Sequence, residues 1–177
     1  MLLSHVSICA MVLVASALVQ AGDAAAPKIE FKDHDEQSAL VVKAKCKLAE
    51  IGPTLGKCFQ KVGAYMKEKG IKFEPPLFAL YLKVDNGECE LEGGAVVPKG
   101  TEGKDDVLAI TLPKGKVAFS THLGPYEGLS DYWMALMKSL ADQKKEPAGP
   151  GWEVYMNDPG SVKPEEIRTD IYIPVKE

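Results

Sequence analysis

Several functional classes leave marks that this sequence lacks. Its 177 residues hold 21 Lys and Arg against 25 Asp and Glu, a formal net charge of -4 with a pI near 5.5. Binding to a phosphate backbone runs on clustered Lys and Arg that release counterions, so nucleic acid is not expected as a partner. Neither G-x-x-x-x-G-K-[ST] nor G-x-G-x-x-G connects a strand to a helix, so Gly93-Gly94 and the glycines Gly100 and Gly103 read as loop glycines and no phosphate cradle is expected. Cys9, Cys46, Cys58 and Cys89 form no C-x-x-C and no Cys/His cluster, which leaves no metal site and no cofactor to expect. The longest apolar run, residues 6–19, is shorter than the roughly 20 residues that cross a bilayer.

What is present is enough for one packed domain, with 46% hydrophobic and 26% charged residues. The run at 6–19 ends in Val19-Gln20-Ala21, which puts small residues where a signal peptidase reads, although only His5 and no Lys or Arg precedes Val6. The expectation is a signal peptide over residues 1–21, cleaved after Ala21, a periplasmic or secreted product and no stable membrane span afterwards. Residues 22–37, small, polar and charged, read as a flexible linker, with the domain following over 38–177. Cys46, Cys58 and Cys89 then remain, and an oxidising compartment could pair two of them, without the sequence saying which.

Periodicity supplies the elements. A β-branched run at 38–45 reads as a strand, and Gly52-Pro53 breaks it. Leu55, Phe59, Val62 and Met66 then recur at helical spacing over 53–69. Strands at 77–82 and 88–97 flank Asp85-Asn86-Gly87, a strong hairpin signal. The order returns after a linking strand at 107–112: a strand at 117–121, a helix over 127–144 carrying Leu129, Trp133, Leu136 and Leu140, then strands at 152–156 and 169–175. A shift of 74 residues lays Pro76 on Pro150 and Tyr81 on Tyr155, and one of 76 lays Val97-Pro98 on Ile173-Pro174. The expected fold is α+β: two β-α-β-β units, about 38–98 and 107–175, forming one antiparallel sheet with two helices on one face about a pseudo-twofold.

Glu153 is the most informative position. In Gly151-Trp152-Glu153-Val154-Tyr155, strand alternation places Trp152 and Val154 on one face and Glu153 and Tyr155 on the other. A carboxylate beside a phenol in a groove recognises a cationic or polarised apolar ligand, whereas on an open face it is only solvated. A second group, His122-Leu123-Gly124-Pro125-Tyr126, lies where a strand passes into a helix, with Tyr126 able to enter the groove and His122 more naturally a structural residue. Met134 and Met137 read as a pliable helix face.

Taken together, His122-x-Gly124-Pro125-Tyr126-Glu127-Gly128-Leu129, Glu153-x-Tyr155-x-x-Asp158-Pro159 and Thr169-Asp170-Ile171-Tyr172-Ile173-Pro174-Val175 resemble the GyrI-like small-molecule-binding domains, the effector modules of AraC-type and MerR-type multidrug regulators. The motifs lie in the second half; Asp170 stands where the closing motif more usually carries Glu. The resemblance implies a ligand groove at the pseudo-twofold, a ligand contact from Glu153, and aromatic lining by Tyr126, Trp152 and Tyr155. The leading expectation is an exported binding module that sequesters or senses a hydrophobic, possibly cationic compound, more a binder than an enzyme. The alternative is a GyrI-like hydrolase of reactive natural products with Glu153 as acid or base. Haem binding of the SOUL type ranks last, with only His34, outside the expected core, and His122 as axial candidates.

Overall fold

The computed structural model describes residues 27–72 and 76–176, so the expected signal peptide, 1–21, and Cys9 lie outside the described residues. Eight strands and two helices follow in the order β1 (Glu30–His34), β2 (Gln37–Lys47), α1 (Ile51–Glu68), β3 (Leu77–Asp85), β4 (Glu88–Val96), β5 (Val107–Leu112), β6 (Gly115–Leu123), α2 (Leu129–Asp142), β7 (Trp152–Tyr155) and β8 (Arg168–Pro174). The β3-β4 hairpin turns at Asn86 and Gly87, both at positive φ (49° and 79°), as a two-residue turn between right-twisted strands requires.

All eight strands form one antiparallel sheet in the order β1-β6-β8-β7-β3-β4-β2-β5. The order is symmetric about the β7-β3 junction, so the pseudo-twofold passes between these strands. Each half is longer than a β-α-β-β unit. It begins with an extra strand, and the two leading strands are exchanged: β1 pairs with β6 of the second half, and β5 with β2 of the first.

That exchange corrects two expectations. Residues 30–34 are an edge strand, not part of a linker, and His34, expected outside the core, closes it. The strand is hard to read because Phe31 stands alone among charged neighbours, as suits a strand with one open edge. Gly93 and Gly94 are also inside an element, in β4, rather than in a loop.

Paired positions share a face. Val42, Gly93, Ala79, Glu153, Ile171 and Ser120 form one continuous cross-strand row on the face that both helices cover. The helices sit on it differently. In α1, Leu55, Cys58, Val62 and Met66 are buried, whereas Phe59, expected in that stripe, is only partly buried at its edge. A Cβ on Gly93 would stand 2.9 Å from the Cys58 Cβ, so α1 approaches β4 as closely as a missing side chain allows. Each fully buried side chain of that stripe contributes about 1.5–3 kcal/mol. Helix α2 buries Leu129, Leu136 and Leu140, but its backbone approaches the sheet less closely, chiefly at β6, than that of α1, which meets β2, β4 and β5. No helix among the described residues is long and apolar enough to cross a membrane.

Candidate functional site

Glu153 lies at the centre of the helix-covered face, paired with Ala79 across the pseudo-twofold. It is 2% exposed and accepts three hydrogen bonds. The Tyr81 and Tyr155 hydroxyls donate to Oε2 at 2.9 and 2.8 Å, and the Trp133 indole Nε1 donates to Oε1 at 2.6 Å. No Lys or Arg among the described residues forms an ion pair with it. Burial raises the Glu153 carboxyl above its ordinary range, and the donors from Trp133, Tyr155 and Tyr81, with the more distant His122, oppose that rise. Burial also pushes the Tyr81 and Tyr155 phenols well up, so both keep the protons they donate.

Aromatic rings wall the carboxylate. Phe59 of α1 meets Tyr155 edge to face at 6.0 Å between centroids, and Trp133 of α2 meets Tyr81 in the same way at 6.1 Å. Tyr126, in the 3-10 turn Tyr126–Gly128 before α2, sets its ring 5.6 Å from Tyr155 and is 38% exposed. Gly151 makes the Trp133 contact feasible, since a Cβ there would lie 2.8 Å from the indole ring. Beside Phe59 the surface dips into a shallow depression lined also by Gly63, Lys67 and Ile71. The arrangement is a desolvated carboxyl held by neutral donors inside an aromatic collar.

The structure thus brings Glu153, Tyr155 and Tyr126 together and sends Trp152 elsewhere. Trp152, expected to line the groove, lies on the opposite face of the sheet at 1% exposure, stacked on Tyr172 with ring planes 2° apart and touched edge-on by His34 at 5.0 Å. Strand alternation is the reason: adjacent residues of β7 cannot share a face. Asp170 is buried on that far side too, bonded by Arg168 and Thr121.

Sequence reasoning missed Tyr81 and Trp133 as partners of Glu153, although a signal existed. The shift of 74 that lays Tyr81 on Tyr155 also lays Phe59 on Trp133 and Ala79 on Glu153, placing all six at equivalent points around the axis. Among the described residues no group of three His, Cys, Asp or Glu side chains could hold a metal. Cys46, Cys58 and Cys89 are free thiols; Cys46 lies directly opposite Cys89, whose thiol burial pushes up to about 11.

Residues 27–176 match the family model of the GyrI-like small-molecule-binding domain. No protein of curated function matches the chain by sequence. The fold resembles the crystal structure of the EcmrR C-terminal domain with TM-score 0.71 and 18% identity, over 85% of this chain and 98% of that one. It resembles EcmrR in its DNA complex with TM-score 0.74 and 16% identity, over 86% of this chain but only 58% of that one, so the chain spans little more than half of EcmrR. SAV2435 bound to tetraphenylphosphonium is similar with TM-score 0.63 and 14% identity, over 84% of this chain and 94% of that one. At these identities the likeness is one of fold.

Proposed function

Because the chain belongs to the GyrI-like small-molecule-binding family, we propose that it binds a hydrophobic organic cation in the groove between α1 and α2, with Glu153 as the countercharge. One observation carries this reading: a carboxylate at 2% exposure that accepts three neutral donors and pairs with no cation among the described residues. A buried anion without a cationic partner costs several kcal/mol, and its donors offset only part of that. A guest whose positive charge is spread over apolar groups leaves water cheaply, meets the carboxylate and lies against ring faces and edges. The tetraphenylphosphonium bound by SAV2435 is a cation of this kind. Entry requires the rings around the 2% exposed carboxyl to part, and the looser seating of α2, which carries Trp133, makes that helix the one to move. With the leader expected at 1–21, the binding takes place outside the cytoplasm, and N-terminal sequencing of the exported protein tests that part.

Calorimetric titration with tetraphenylphosphonium tests the cation site. The wild type binds, and Glu153→Gln, which keeps the shape but removes the charge, loses at least about tenfold in affinity. Equal affinity in both proteins overturns the reading.

A hydrolase built on the same carboxyl is the second reading, favoured by the burial that holds Glu153 above its usual range, as a general acid requires. Oε2 accepts two hydrogen bonds and Oε1 only one, so a reacting group or water would meet the carboxyl at Oε1. Consumption of an epoxide or cyclopropane substrate by wild type and not by Glu153→Gln decides for it.

A further inference from the structure

One row further along the helix-covered face, Tyr155, Thr169 and His122 lie side by side on β7, β8 and β6. Thr169 is fully buried, and its hydroxyl is the one buried side-chain polar atom among the described residues that has no hydrogen-bond partner. Threonine there is not demanded by packing: the matching row of the first half reads Tyr81, Leu91 and Ala44, and Leu91 is equally buried. His122, the neighbour of Thr169, packs its ring 4.9 Å from Tyr132 and lies close over Gly124 and Gly128. Its Nε2 sits 3.2 Å from the Pro125 carbonyl, and its Nδ1 bonds no protein group among the described residues. Two polar groups are thus placed beside Tyr155 and Glu153 with hydrogen-bonding capacity the fold does not use. A buried hydroxyl left unmade is costly, and a ligand that reaches it recovers that cost.

We propose that Thr169, with His122 beside it, forms a second, hydrogen-bonding subsite of the Glu153 groove. The preferred ligand is then an organic cation that also carries a hydroxyl or carbonyl group, placed about 7–8 Å from its charge, the diagonal spacing of neighbouring strand positions. The proposal rests on the cation-binding reading above and adds what that reading does not contain: discrimination between cations of equal charge and size. A ligand hydroxyl that reaches Thr169 pairs a buried hydroxyl the fold leaves unpaired, whereas a methylene at the same place leaves it unpaired.

Two probes of matched size separate the possibilities, 5-hydroxypentyl-triphenylphosphonium, whose extended chain sets its oxygen about 7–8 Å from the phosphorus, and hexyl-triphenylphosphonium. The wild type is expected to prefer the hydroxyl-bearing cation by about 2- to 12-fold, the net worth of one hydrogen bond. Thr169→Val, nearly the same shape without the hydroxyl, loses that preference and melts at a higher temperature than wild type, because it no longer buries an unpaired group. Glu153→Gln weakens both cations and keeps their ratio. A wild type without preference, a variant that retains it, or a Thr169→Val protein that melts no higher overturns the subsite. A Glu153→Gln protein that binds both cations as tightly as wild type overturns the charge reading while the ratio still decides the subsite, and failure of both cations to bind removes both.

Discussion

Across the pseudo-twofold, the first half packs where the second half presents chemistry. Ala79 stands opposite Glu153, and Phe59 falls at the position of Trp133. The row Tyr81, Leu91 and Ala44 becomes Tyr155, Thr169 and His122. The glycine at 93 draws α1 down onto β4, whereas α2 stands off on the rings of Tyr132 and Trp133. A duplicated domain can divide its labour in this way. The closely seated half supplies burial, and the half under α2 carries a desolvated carboxylate and an unpaired hydroxyl that a tight core would not tolerate. The two tyrosines, Tyr81 and Tyr155, are what the halves still share, and both serve the single carboxylate.

The sharpest way to break this asymmetry is to restore symmetry by charge. Ala79→Glu places a second carboxylate directly across from Glu153 in a site with no counterion, and a loss of about 3–5 kcal/mol is expected in urea denaturation at neutral pH. The loss should shrink as the pH falls and one carboxyl protonates. Making the second half resemble the first is gentler. Trp133→Phe removes one of the three donors to the carboxylate, which should cost about 1.5–3 kcal/mol by the same measurement and raise the Glu153 titration point seen by NMR.

Gly93→Ala tests the seating of α1. Its Cβ would press on the Cys58 Cβ, which cannot swing away, so a loss of about 1–3 kcal/mol is expected, with little change in cation affinity. At Gly151 the nearest obstacle is the outer edge of the Trp133 ring, so Gly151→Ala should act instead on the groove.

The smallest expected effect is a pH dependence. Since burial raises the Glu153 carboxyl, its protonation favours the native state. That contribution is complete below the unfolded carboxyl pKa of about 4.3 and is lost as the pH rises through the higher folded value. Cation binding runs the other way because it needs the ionised form. Affinity should climb with pH through the folded pKa by at most about tenfold per unit, with proton release on binding, and Glu153→Gln should show a flat profile.

Much of the fold was legible because its signals are periodic. The four-three-four stripes located both helices, Asn86-Gly87 located the hairpin, and the 74-residue shift exposed the duplication. Strand β1 was not legible, since one phenylalanine among charges carries no alternation and its partner, β6, lies more than 80 residues away. At the site, Glu153 and Tyr155 followed from alternation, which equally argued against Trp152 as a groove residue. Tyr81 and Trp133 lay inside patterns that already had an explanation, a buried strand and an apolar helix stripe, so nothing local marked them as donors.

The sequence by itself determined the periodicities, the internal repeat and the sharing of one strand face by Glu153 and Tyr155, because these depend on residue type and local spacing. Only the tertiary structure decided which rings surround that carboxylate, that Trp152 faces away from it, that the leading strands change halves, and that α2 rides above the sheet. These depend on which distant positions pair across strands, and strand register is set by the packing of the whole sheet rather than by any single segment.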